Sequence, residues 1–173
     1  MTDKVQVYPG ELATAEQMLE LADQYRKAAN ILRQLGRPGK PLTLAPFRLS
    51  AIQAVELYLN AFLLRRGNGP DRIRGFRHDL VERTELAVAA GLRLRLRTAA
   101  HLRTLSQSRE YLVTRYGPEM VSTTSHVTRL TATLNEVAGK VTLLLSSPAV
   151  PKTPSVSKRI KAPALASSAA PPA

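Results

Sequence analysis

Cysteine is absent from the 173-residue chain, histidine occurs only three times, and acids are outnumbered 13 to 25 by lysine and arginine. Without cysteine there can be no disulfide framework, thiolate zinc site, iron–sulfur cluster or cysteine nucleophile. The histidines stand far apart, at 78, 101 and 126, which leaves little material for a metal site. Neither metal nor cofactor is expected. Glycine is sparse, at nine residues, and none of it forms the Gly-rich phosphate loop of the common nucleotide hydrolases. No apolar run approaches the ~20 residues that span a bilayer. The N-terminus lacks the basic-then-apolar layout of a signal peptide. The expectation is a cytoplasmic protein that does not enter a membrane.

What is present is an ordinary globular composition, 44% apolar and 22% charged, in a chain long enough for one domain. A domain of ~150 residues hides ~70% of its unfolded surface. The formal charge is +12, and 18 of the 25 basic residues are arginine. Such an excess favours acidic partners, nucleic acid first. It is equally what coding bias in a GC-rich genome produces.

From Pro148 the material changes. Residues 148–173 hold six prolines, many Ala and Ser, four basic residues and no acid, too little apolar surface to offset the entropy of ordering. The chain is therefore expected to divide into a helical bundle over 1–147 and a disordered, basic, Pro/Ala/Ser-rich tail over 148–173.

The first part reads as helices. Residues 11–35 place Met18, Leu21, Tyr25, Ala28, Leu32 and Leu35 at alternating three- and four-residue spacings, one face of an amphipathic helix. Gly36, Pro38, Gly39 and Pro41 end it. A second helix runs from about Pro46 to Arg66 with Ile52, Val55, Leu59, Phe62 and Leu63 inward, and Gly67-Asn68-Gly69-Pro70 breaks it. A third opens at Asp79, which has Glu82 at capping-box spacing, and continues through Leu80, Ala87 and Val88 to Gly91. A fourth covers about Thr98 to Arg115, with Leu102, Leu105, Leu112 and Tyr116 inward. The alternation over 92–97 is short and lacks β-branched residues, so it reads as loop or helix start. A fifth helix starts near Ser125 and carries Val127, Leu130, Leu134, Val137, Val141 and Leu144. That heptad seam could close its own bundle or face a second subunit. The fold class is all-α, a single up-and-down bundle of about five helices.

Glu56 lies on the apolar face of the second helix, four residues after Ile52. A buried carboxylate needs a cation or hydrogen-bond donors, and the nearest in sequence are Arg72, Arg74, Arg77 and His78. A structural contact from Glu56 to His78 or to one of these arginines, pinning the third helix, is the favoured account. The arginines form two groups: Arg65, Arg66, Arg72, Arg74 and Arg77 before the third helix, and Arg93, Arg95, Arg97 and Arg103 after it. Guanidinium forks grip phosphate, so both groups, with His78, are candidates for binding nucleic acid or a nucleotide. A solvated charged face would look the same. Phe76 is the only aromatic inside the first group, which argues against sequence-specific reading of single strands.

The run Ala54-Val55-Glu56-Leu57-Tyr58-Leu59-Asn60-Ala61 and the later Arg77-His78-Asp79-Leu80, with Arg115-Tyr116-Gly117-Pro118, resemble the HEPN superfamily of small helical bundles over roughly residues 20 to 120. Many bacterial members carry an "lElyLKA" helix and then Gly-His-Asp-Leu opening the next. Here Arg77 stands for the usual Gly, and Asn60 for Lys. The resemblance implies a binding or interaction module for nucleic acid, a nucleotide or a partner protein. It also implies frequent homodimerisation and work beside a nucleotidyltransferase partner. The alternative it implies is a metal-independent, toxin-like ribonuclease marked by Arg, four to six residues, then His, with His transferring protons and Arg stabilising the phosphorane. Arg72 with His78 fits that spacing, and so does Arg95 with His101. With 18 arginines and three histidines, about one such match arises by chance. Neither arginine has the polar neighbour usual in the nuclease motif. The non-enzymatic module is therefore the reading preferred.

The tail yields a test of its own. Deleting 148–173 should leave the thermal midpoint of unfolding nearly unchanged, because no core contact is lost. A drop of several degrees would refute the disordered reading.

Overall fold

The computed structural model describes residues 7–146, so the tail lies outside the described residues. Those residues form seven α-helices with two short 3-10 turns and no strand: α1 (Ala15–Arg33), α2 (Ala45–Arg65), α3 (Pro70–Gly75), α4 (Leu80–Ala89), α5 (Leu96–Gln107), α6 (Glu110–Tyr116) and α7 (Val127–Ser146), with 3-10 turns at Pro41–Leu44 and Pro118–Thr123. The fold is an all-α bundle.

α2 is its axis. The helix is apolar on every side, as a helix surrounded by others must be. Phe47, Tyr58, Leu59, Phe62 and Leu63 are fully buried. The stretch Pro41–Arg65 is long and apolar enough by composition to cross a membrane, but most of it is covered by the other helices. α1 runs antiparallel to α2: Arg65 at the end of α2 bonds Glu16 at the start of α1, at 3.0 Å. The turn between them is tight at Gly36, where a Cβ would meet the Leu44 side chain. α7 lays Leu130, Leu134, Val137 and Val141 into the core. The seam on this helix closes its own bundle and is not left for a second subunit.

Helix ends follow local chemistry. α1 begins at a capping box, with Thr14 Oγ1 accepting from the Gln17 N–H at 3.2 Å and Gln17 Oε1 accepting from the Thr14 N–H at 3.0 Å. It therefore starts four residues later than the expected Glu11. Asp79 caps α4, accepting from the N–H groups of Val81 (2.7 Å) and Glu82 (3.3 Å). α4 closes on Gly91, at φ 103°, where the Leu92 N–H returns to the Ala87 carbonyl. That positive φ is why glycine stands there.

Three expectations need correction. The fully inward positions of α1 are Ala15, Ala22 and Ala29; of the expected face Met18 and Leu32 pack against the core half-buried, while Leu21, Tyr25 and Leu35 are exposed. Small residues let α1 sit close to α2, and hydrophobicity alone had favoured the larger ones. The single helix expected over 98–115 is two helices, broken at Arg109 in the left-handed region (φ 50°). The break lets Glu110 turn inward to Arg48 (2.8 Å) and accept from the Ser125 N–H (2.9 Å). As a result Leu112 is only half-buried and Tyr116 is exposed; Val88 on α4 also points outward. Finally, the break after α2 contains the short helix α3, started by Pro70 at its first position, which drops Ile73 and Phe76 into the core.

Arg48 and Glu110 are both buried, so removing one leaves the other charged and unpaired. Arg48→Ala should cost about 3–5 kcal/mol. Arg65→Ala, which breaks the exposed pair with Glu16, should cost about 1 kcal/mol or less. Urea denaturation of both variants checks the contrast.

Candidate functional site

α2, the α3–α4 turn and the segment before α1 enclose an open cleft of about 670 Å³. Its floor is ionic. Arg83, on the inner face of α4, is buried, with 1% of its surface exposed. Its Nε donates to Asn60 Oδ1 (2.7 Å), its Nη1 to the Asp79 carbonyl (3.2 Å) and its Nη2 to the Arg77 carbonyl (2.7 Å). Nη2 also lies 3.4 Å from Glu56 Oε1. The other carboxylate oxygen of Glu56 meets His78 Nδ1 at 3.2 Å. Glu56 and Asn60 are one helical turn apart on α2, which sets both on the same face. Burial pulls the Arg83 guanidinium below its usual pKa, and Glu56 opposes that shift. The floor is thus a closed network: each carboxylate oxygen of Glu56 has a cationic or N–H partner, and every guanidinium nitrogen of Arg83 has an acceptor.

The rim is different. The His78 ring packs on Tyr111 with centroids 4.8 Å apart, and its Nε2 has no partner among the described residues. Asp79, beside it, is opposed by burial, yet hydrogen bonds from Ser106 and the N–H groups of Val81 and Glu82 hold its carboxyl below the usual range. Arg74 pairs with Asp71 and stacks on the Tyr8 ring, its Cζ 4.5 Å from the centroid. Arg77 has left-handed backbone (φ 49°) and an exposed side chain with no partner among the described residues. Met18, Leu64 and Ile73 supply an apolar wall.

The structure gathers Arg74, Arg77, His78 and Glu56 at one cleft and leaves the other candidates elsewhere. Arg72 turns to Asn68 Oδ1 (3.4 Å) and does not line the cleft. Arg65 is held by Glu16, and Arg66 packs over the Phe62 ring. Arg93, Arg95 and Arg97 lie beyond the far end of α4, a helix of ten residues and so ~15 Å long. Arg95 is exposed and paired at 3.9 Å with Glu136. The carbonyls of Arg93 and Arg97 are held by Lys140 and Arg129, and their guanidinium groups are unpartnered among the described residues. Arg103 makes a long, exposed pair with Glu85.

Sequence reasoning missed Arg83. The signal was available: a lone cation at the i+3 position from Leu80, on the same face as Ala87, is the complement of a lone carboxylate on the apolar face of α2. His101, the partner proposed for Arg95, is buried, its Nδ1 2.8 Å from Thr133 Oγ1 and its Nε2 enclosed without a partner. It shares no cleft with Arg95. Among the described residues no group of three or more His, Asp or Glu could hold a metal ion. Comparison with family models, with curated proteins and with solved structures finds no match for this chain.

His101 gives the protein an acid-labile element. Burial, reinforced by Arg129, pulls it from an ordinary 6.5 to about 4. The unfolded chain then binds a proton at a higher pH than the folded one. Stability should fall as pH drops from about 6.5 to 4, by up to ~3 kcal/mol, and that dependence should vanish in His101→Asn. Glu136 is opposed by burial but brought to about 2 by the Arg95 N–H, Thr98 and Lys140; its contribution is lost only below pH ~4.5. Urea midpoints across this range separate the two.

Proposed function

We propose that the protein is a non-enzymatic, HEPN-like binding module whose cleft takes a phosphate group of nucleic acid or a nucleotide between Arg77, Arg74 and the free edge of His78. Arg77 carries the reading. A non-glycine residue in the left-handed region costs about 1 kcal/mol or more. The turn needs that conformation to aim the Arg77 carbonyl at Arg83, and glycine would supply it without strain. The resembled pattern has glycine at this place. Arg109 is strained in the same way, so the weight falls on place: the free Arg77 guanidinium stands on the rim of the cleft floored by Arg83 and Glu56, where an anionic ligand would give it a partner. The floor beneath is internally satisfied, so Glu56 and Arg83 position the rim and do not contact the ligand.

The ribonuclease alternative rests on one observation, the Glu56–His78 contact at the edge of an open cleft, which orients an imidazole as a proton carrier would be oriented. Against it stands the placement of Arg72, turned away to Asn68.

Arg77→Gly should raise stability by about 1 kcal/mol by relieving the strain, while weakening binding of a labelled RNA or DNA oligonucleotide. It should also reduce the salt dependence of binding by about one unit of slope. Fluorescence anisotropy at two salt concentrations, with thermal melts, reads all three. No binding at low salt, or unchanged binding by Arg77→Gly, would sink the proposal. RNA cleavage that persists with chelator and disappears in a folded His78→Ala variant would establish the nuclease instead.

A further inference from the structure

The chain carries no acid between Asp23 and Glu56, yet Arg26, Lys27, Arg33, Arg37, Lys40 and Arg48 fall in that interval. Arg26 lies 3.9 Å from Asp23, and Arg48 is paired with Glu110. Arg33, Arg37 and Lys40 instead line one open pocket of about 430 Å³, where the connection from α1 to α2 meets the start of α7. All three are exposed, and their side chains make no hydrogen bond or ion pair among the described residues. No acid lines the pocket; Pro41, Leu44 and Val127 give it an apolar side.

Local chemistry fixes two of these cations. Arg37-Pro38-Gly39-Lys40 is a tight turn in which the Lys40 N–H donates to the Arg37 carbonyl at 3.1 Å. Proline at its second position and glycine at its third, at φ 71°, are what a type II turn requires. Thr43 locks it: its Oγ1 accepts from the Arg37 N–H (2.9 Å) and donates to the Lys40 carbonyl (2.7 Å). The ends of such a turn lie within about 7 Å of each other, so Arg37 and Lys40 stand side by side on a stiff support. Arg33 joins them from the last turn of α1. α1 ends here and α7 begins here, so the negative end of one helix dipole offsets the positive end of the other. The three side chains set the sign. Like charges held this close repel in the free protein, and a bound anion removes that repulsion.

We infer that this pocket is a second anion site, which takes a phosphate group between Arg33, Arg37 and Lys40. A lone carboxylate would leave most of the three charges unmatched, whereas a phosphate offers several acceptor oxygens to two guanidinium forks and an ammonium. The phosphate belongs either to a nucleic-acid backbone or to a small phosphorylated molecule. The site is independent of the cleft: Met18 at the cleft and Arg33 here are fifteen residues apart on α1, or ~22 Å.

Amide NMR of the full chain tests this with two probes, inorganic pyrophosphate and a twelve-residue oligothymidylate. Either should shift the Gly36 and Gly39 amide resonances. Arg37→Gln with Lys40→Gln should abolish those shifts with circular dichroism unchanged. Arg77→Gly should keep them, and so should Lys27→Gln with Arg115→Gln, which removes the same charge elsewhere. If the source is a strand, the Arg37/Lys40 variant also lowers the salt slope of oligothymidylate binding by about two units; an unchanged slope with pyrophosphate shifts retained in the wild type identifies a small phosphorylated ligand. No shift at Gly36 and Gly39 with either probe, shifts that survive in the Arg37/Lys40 variant, or shifts lost in Arg77→Gly or in the charge-matched control would each overturn the inference.

Discussion

Arg83 is the constraint on which the cleft depends. Taking a guanidinium out of water costs several kcal/mol, and only well-placed partners offset it. Here those partners come from two directions. Glu56 and Asn60 project from α2; the carbonyls of Arg77 and Asp79 belong to the turn that opens α4. One side chain therefore ties the core helix to the turn that carries the rim. The left-handed backbone of Arg77 follows from this, since its carbonyl must point inward to reach Nη2 while its side chain points out. Loss of Arg83 would strand Glu56 in the core and release the turn, so a variant at this position reports on folding and binding together.

The same device recurs along α2. A helix apolar all round carries no instruction about its rotation, because every rotation buries similar area. Four polar side chains supply it. Arg48 must face Glu110 of α6, Glu56 and Asn60 must face Arg83 of α4, and the Tyr58 hydroxyl bonds Asp23 of α1. Their partners lie on three different helices, α6, α4 and α1, so only one rotation satisfies them all. Misplacing any of them would leave a buried polar group unpaired, at about 1–3 kcal/mol each and more for the charged ones. The apolar contacts supply most of the driving force, and these pairs select the arrangement.

This division explains what could be read beforehand. Helix content, the breaks at Gly67–Pro70 and Gly91, and the Asp79 cap depend on neighbours in the chain, and were legible. Glu56 was legible as a buried carboxylate in want of a partner. The face of α1 was legible in part: Met18 and Leu32 pack on the core, but Leu21, Tyr25 and Leu35 do not, because two rows satisfy helical spacing. The choice of the alanine row depends on how closely α2 approaches, which no local pattern encodes. The break at Arg109 was hidden for a similar reason: no glycine or proline marks it, and its cause is Arg48, sixty-two residues away from Glu110. The seam of α7 was legible as a seam, but which partner it meets is decided by the space left beside α2.

Arginine abundance from coding bias predicts guanidinium groups wherever the surface tolerates them, and Arg93, Arg97 and Arg103 meet that description: exposed and either unpartnered or loosely paired. Arg77 and Arg109 both stand where the backbone favours glycine, so strain has to be weighed together with what surrounds each side chain. At most exposed sites Arg is interchangeable with Lys or Gln within a few tenths of a kcal/mol, but at Arg77 any side chain carries the left-handed penalty. Left-handed backbone is shared by Arg77 and Arg109; what separates Arg77 among the described arginines is its place on the rim of the cleft floored by Arg83 and Glu56, with its carbonyl bound to Arg83 and its guanidinium unpartnered. Charge alone describes a surface; the network beneath residue 77 distinguishes a position on it.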